Sequence, residues 1–94
     1  MNIYKYKLET KPVQKVICKA VKILDIQFQN GTPVMWAVTD ENEPLASIGI
    51  VMQGTGTDRF EIINDLEHIS TTQQGDYVWH WFTDFGFDYK EDKQ

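Results

Sequence analysis

Cysteine is nearly absent from this chain, with Cys18 the only one in 94 residues. An internal disulfide is therefore excluded, and a lone thiol fits a reducing compartment, so a cytoplasmic location is expected. Histidine is almost as scarce, with only His68 and His80. That leaves little material for nucleophilic or metal chemistry, and neither a metal nor a cofactor is expected. No apolar run approaches the roughly 18–20 residues that a membrane-spanning helix requires. The opening MNIYKYKLETK has no apolar stretch and no small-residue cleavage site, so no signal peptide is expected.

What is present is aromatic and β-branched. Three Trp, four Tyr and five Phe give a short chain a large area to bury. The length suits one small domain with a single core. The net charge of −5 conceals an asymmetry. Residues 1–22 carry six lysines against Glu9, whereas residues 23–94 carry three basic residues against thirteen acids. The plain explanation is that lysines keep sheet edges soluble. Broad nucleic-acid binding is disfavoured, because a phosphate backbone would meet a mostly acidic body.

The segment KILDIQFQNGTPVMWAVTD, residues 22–40, predicts two strands folded on an Asn30-Gly31 turn. In the first, Leu24, Ile26 and Phe28 share a face. In the second, Val34, Trp36 and Val38 share a face, and Trp36 is expected in the core. Residues 2–9 alternate with Tyr4, Tyr6 and Leu8 on one side, and VQKVIC, residues 13–18, is a further strand. Residues 45–53 form a strand with a candidate bulge at Gly49, and residues 60–66 have room for one helical turn. Residues 67–73 alternate again, with Ile69 inward. After Gln74-Gly75-Asp76, YVWHWF sets Tyr77, Trp79 and Trp81 against Val78, His80 and Phe82, as in a strand packed on both faces. The expected fold is mainly β: a small antiparallel sandwich or partly closed barrel of six or seven strands, with at most one short helical turn. A single β domain over residues 1–83 and an acidic tail over 84–94 are expected.

No catalytic residues are assigned. Cys18 on an apolar strand reads as a buried structural thiol before it reads as half of a dyad with His80. His68 and His80 fall on neighbouring strands but lack a ligand-spaced third group. The carboxylates lie largely in loops and the tail, where solvated surface is the default. The best ligand-binding candidates are Gly54, Thr55, Gly56, Thr57 and Arg59, with Trp79, His80 and Trp81 as a stacking surface. Glycines let backbone N–H groups converge on an anion, threonines add hydroxyls, and arginine adds a forked cation. The spacing matches neither a Walker loop nor a dinucleotide fingerprint, and turn chemistry is the plainer explanation of such a connection.

The KIL-x-x-Q-x-QNG hairpin, the Gly-Thr-Gly loop and the closing aromatic strand with its histidine resemble a family of small uncharacterised proteins. These are encoded by bacteriophages, prophages and their bacterial hosts. The resemblance runs from Ile3 to Phe82 and departs in the acidic tail and after Gly56. It transfers no site residues. It implies a phage-type setting, in which small accessory proteins without enzymatic motifs act by binding. Two main expectations follow. One is an inhibitor that binds a host protein, such as a defence component, its acidic body steering it to a basic patch. The other is a homo-oligomeric sponge for a nucleotide-derived signal, held by the Gly54–Arg59 loop and the Trp79, His80 and Trp81 surface. A virion component and an enzyme rank below these.

Overall fold

Alternation and turn chemistry divide the residues that this computed structural model describes, 1–56 and 65–85, into seven antiparallel strands. These are β1 (Asn2–Lys7), β2 (Val13–Cys18), β3 (Ala20–Gln29), β4 (Thr32–Thr39), β5 (Ala46–Gly54), β6 (Glu67–Gln74) and β7 (Tyr77–Thr83). Two sheets result, ordered β1-β4-β3 and β2-β5-β7-β6, and they pack as a small β-sandwich. No strand sequence contains a helix-period stripe, and the described residues form no helix. The segment considered for a helical turn, 60–66, falls mostly outside the described residues.

Both tight hairpins follow from their turn residues. Asn30 and Gly31 take positive φ, 53° and 83°, and set Gln29 opposite Thr32. That is the two-residue I′ arrangement, which asks for positive φ at both central positions. In the second hairpin only Gly75 is positive, at 59°, and Gln74 faces Tyr77. A II′ turn requires this pattern.

The core lies between the sheets around Ile26, Met35, Ile48, Ile50 and Trp81, each with at most 1% of its surface exposed. The sheets are tied where β3 meets β6, since the Ser70 hydroxyl donates to the Ile26 carbonyl at 2.8 Å. On the opposite side β1 and β2 are the outermost strands of their sheets.

Several expected faces are corrected. Met35 and Ala37, not Trp36, point into the core from β4. Trp36 is half-buried on the outer face, paired with Lys5 on β1 and Asp25 on β3. Val38 shares that outer face and is half-buried, and Val34 there is shielded by its surroundings to 3% exposure. Leu24 is exposed, because the register slips between Ile23 and Asp25 and sends Ile23 inward instead. Tyr4 and Ile3 are both largely exposed on β1, so only Tyr6 and Leu8 of the expected inner set pack against the core.

Gly49 carries no bulge, since its pairing with Lys15 belongs to an unbroken ladder. Its missing side chain instead admits Asp84, whose Oδ1 accepts from the Gly49 N–H at 2.9 Å. A Cβ there would lie 2.9 Å from Asp84 Oδ2. Ile69 packs on the core as expected, but through a register slip between His68 and Ser70, so Ser70 and Thr72 also turn inward.

Candidate functional site

The Gly-Thr-Gly loop and the aromatic strand meet on the outer face of the four-stranded sheet. β5 ends at Gly54, and Gly56, with φ 89°, turns the chain away. Between them Thr55 donates its backbone N–H to the Val78 carbonyl at 3.2 Å. This places the Thr55 hydroxyl 2.9 Å from His80 Nε2, where the two share a hydrogen bond. The other ring nitrogen, Nδ1, lies 3.2 Å from the Thr71 hydroxyl, which in turn lies 3.0 Å from His68 Nε2. A continuous chain, Thr55–His80–Thr71–His68, therefore runs across β7 and β6. His68 ends it edge-on against Phe82, with ring centroids 5.3 Å apart.

This chain has a direction. A hydroxyl has one proton, so when Thr71 donates to one imidazole it accepts from the other. The tautomers of His68 and His80 are thereby coupled, and the Thr55 hydroxyl adapts to whichever role His80 Nε2 takes. Chemically the strip is a row of interchangeable donors and acceptors on a half-exposed face, suited to recognising a polar group. Among the described residues no three His, Cys, Asp or Glu side chains gather as a metal site would need.

Of the eight ligand candidates, Thr55 and His80 are brought into contact, with Gly54 and Gly56 shaping the loop on either side. Thr57 and Arg59 lie outside the described residues. Trp81 is withdrawn from the site altogether. It points to the inner face, is wholly buried, and donates its indole N–H to Thr72 at 2.9 Å. Trp79 also faces inward, half-buried, donating to Gln74 Oε1 at 3.0 Å and stacked on exposed Tyr77 with centroids 5.8 Å apart. The platform of Trp79, His80 and Trp81 is thus divided between two faces, as strand alternation demands. Thr71 was missed, although counting back from the Gly75-Asp76 turn places it opposite His80.

Cys18 and His80 do not meet. Cys18 lies buried on the inner face of edge strand β2, while His80 is on the outer face of β7. Burial pushes the Cys18 thiol above its ordinary value, and hydrogen bonds with Tyr6 and the Ala20 backbone offset this only in part. The neutral thiol is therefore favoured, the opposite of what a nucleophile needs.

Comparison with known proteins now places the chain. A family model described as a domain of unknown function, DUF7352, matches residues 1–88. The chain belongs to the DUF7352 family. The match covers every strand and both members of the Thr55–His80 contact, so the site lies within the family domain. No curated protein and no solved structure matches it. No helix among the described residues is long and apolar enough to cross a membrane.

Proposed function

We infer that this chain is a small non-enzymatic binding protein, of the phage-type accessory kind that its sequence resembles, which acts by occupying a host protein. A defence component is the expected class of target. The observation that carries this reading is the open side of the sandwich. Strands β1 and β2, with Met1 before them, hold five of the nine large exposed hydrophobic residues among the described residues: Met1, Ile3, Tyr4, Val13 and Ile17. Lys5, Lys7, Lys11, Lys15 and Lys19 lie on or beside the same strands. Tyr6 of β1 packs on the core to which buried Cys18 at the end of β2 belongs.

Edge strands with uncovered apolar side chains are templates for strand addition. Lysines along them repel a second basic edge and favour an acidic one. The partner segment is accordingly extended and acidic. The net charge alone suggests a basic partner, but the lysines are concentrated at the edges available for pairing, and local charge governs a local contact.

The nucleotide-sponge reading stands second, favoured by the 2.9 Å contact between Thr55 and His80. Burial of Trp81 removes part of the stacking surface it needs. Native mass spectrometry of the tagged chain recovered from host lysate separates the two. A protein bound at fixed stoichiometry, and lost from the folded Lys5→Glu/Lys7→Glu variant, supports the edge. A mass excess of a few hundred daltons, lost from Thr55→Ala or His80→Ala, supports the sponge. A protein partner indifferent to the lysine reversal overturns the edge assignment.

A further inference from the structure

The pairing of β2 with β5 fixes which backbone groups of β2 are used. Met52 donates its N–H to the Pro12 carbonyl at 2.9 Å, so Pro12 and, by alternation, Gln14, Val16 and Cys18 turn their backbone groups toward β5. The N–H and C=O groups of Val13, Lys15 and Ile17 therefore point to the free edge, β2 being an outermost strand of its sheet. The same three residues carry their side chains on the outer face, since Val16 and Cys18 face the core. Val13 is 55% exposed and Ile17 66%. One stretch thus offers free ladder groups and uncovered β-branched side chains together.

Lys15 stands between them, exposed and without an ion pair among the described residues. Asp84 reaches Gly49, the residue opposite Lys15, but its Oδ1 accepts from the Gly49 N–H. The lysine decides between occupants. A second copy pairing with β2 in the fullest antiparallel register would set Lys15 directly opposite its own counterpart. Like charges so placed are destabilising, which is how edge lysines block self-pairing. A carboxylate in that position turns repulsion into attraction. β1 is built differently. Leu8 donates its N–H to the Pro33 carbonyl at 2.9 Å, so the same count turns Ile3, Lys5 and Lys7 to the free edge. Its triple holds one apolar side chain where β2 holds two, and Lys5 already donates to Gln29 Oε1 at 3.1 Å.

We propose that β2 accepts an extended segment of a protein partner with the pattern apolar-x-acidic-x-apolar, the acid lying opposite Lys15 and the apolar residues opposite Val13 and Ile17. Residues paired through both ladder bonds lie about 5.5 Å apart on one face, so alternate positions of the segment are read and those between are not. The proposal rests on the strand-addition reading above and gives it a sequence preference, while the lysines of β1 add charge on the same open side.

The test is amide hydrogen exchange, followed by NMR on the full ¹⁵N-labelled chain. The probe is the end-blocked peptide Thr-Val-Thr-Glu-Thr-Val-Thr, with a second peptide in which lysine replaces the glutamate. Saturable slowing of exchange by about tenfold or more is expected at the Val13, Lys15 and Ile17 amides, with Gln14, Val16 and Cys18 unchanged. The lysine peptide should bind about fivefold more weakly, and Lys15→Glu should reverse the preference between the two peptides. No slowing at the three amides overturns the proposal, and slowing confined to Ile3, Lys5 and Lys7 overturns it while leaving strand addition at β1 standing. Equal affinity for the two peptides overturns the acidic position. Slowing of the same three amides with rising chain concentration and no peptide assigns the edge to a second copy and overturns the acidic partner.

Discussion

Trp81 and Trp36 occupy comparable places in the two halves of the sandwich. Each sits on an interior strand, β7 and β4, with apolar residues on both sides of that strand. Trp81 faces the opposing sheet, is fully buried, and meets Phe28 edge-on with ring centroids 6.3 Å apart. Trp36 faces outward between Lys5 and Asp25 and remains half-buried. The same side chain is therefore core in one sheet and surface in the other. What separates them is the presence of a second sheet opposite, a property of neither strand alone.

The largest expected effect tests this contrast directly. Trp81→Ala should cost about 3–5 kcal/mol by removing an aromatic core residue, read as a lower urea midpoint. Trp36→Ala should cost about 1 kcal/mol or less, and equal losses would break the comparison. Thr72→Val falls between, at about 1–3 kcal/mol, because it keeps the side chain's shape but strands the buried Trp81 N–H. If Thr72→Val is silent, the indole N–H has another acceptor. In a chain retaining only one tryptophan, acrylamide should quench Trp36 and spare Trp81.

The hairpins were legible because their signals are local. Asn30-Gly31 and Gly75 each supply the φ their turn needs, so partners from Gln29–Thr32 and Gln74–Tyr77 follow by counting. Counting fails at bulges. The slip beyond Ile23 turns Leu24 out, and the slip beyond His68 sets it, and not Ile69, opposite Phe82. The alternation that runs through Leu24 and Ile69 in the sequence carries no sign of either slip. Of the candidate site, Thr55 and His80 are in contact, while Trp81 lies on the inner face, because alternation places neighbours on opposite faces.

The smallest expected effect concerns pH at the open side. Burial raises the Tyr6 hydroxyl above its ordinary value of 10.0, with the Cys18 charge adding to it, and burial raises the Cys18 thiol above 9.0. The folded chain thus keeps protons that the unfolded chain releases. This contribution to stability is fully present below pH 9.0 and falls as pH rises through the raised folded values. Cys18→Ser should flatten the thiol's part of that alkaline decline in denaturant titrations, and a decline that persists unchanged would assign it elsewhere. Native Cys18, 5% exposed, should also alkylate far more slowly than the unfolded thiol.

By itself the sequence determined a β protein with two tight hairpins, since turn residues and alternation act over a few neighbouring positions. It also determined that basic charge gathers in the first 22 residues. Only the tertiary structure decided which face of each strand turned inward, because that depends on which sheet lies opposite. It also placed the lysines of β1 and β2 on the two open edges. Those arrangements depend on strands distant in the chain, and no local pattern encodes such a meeting.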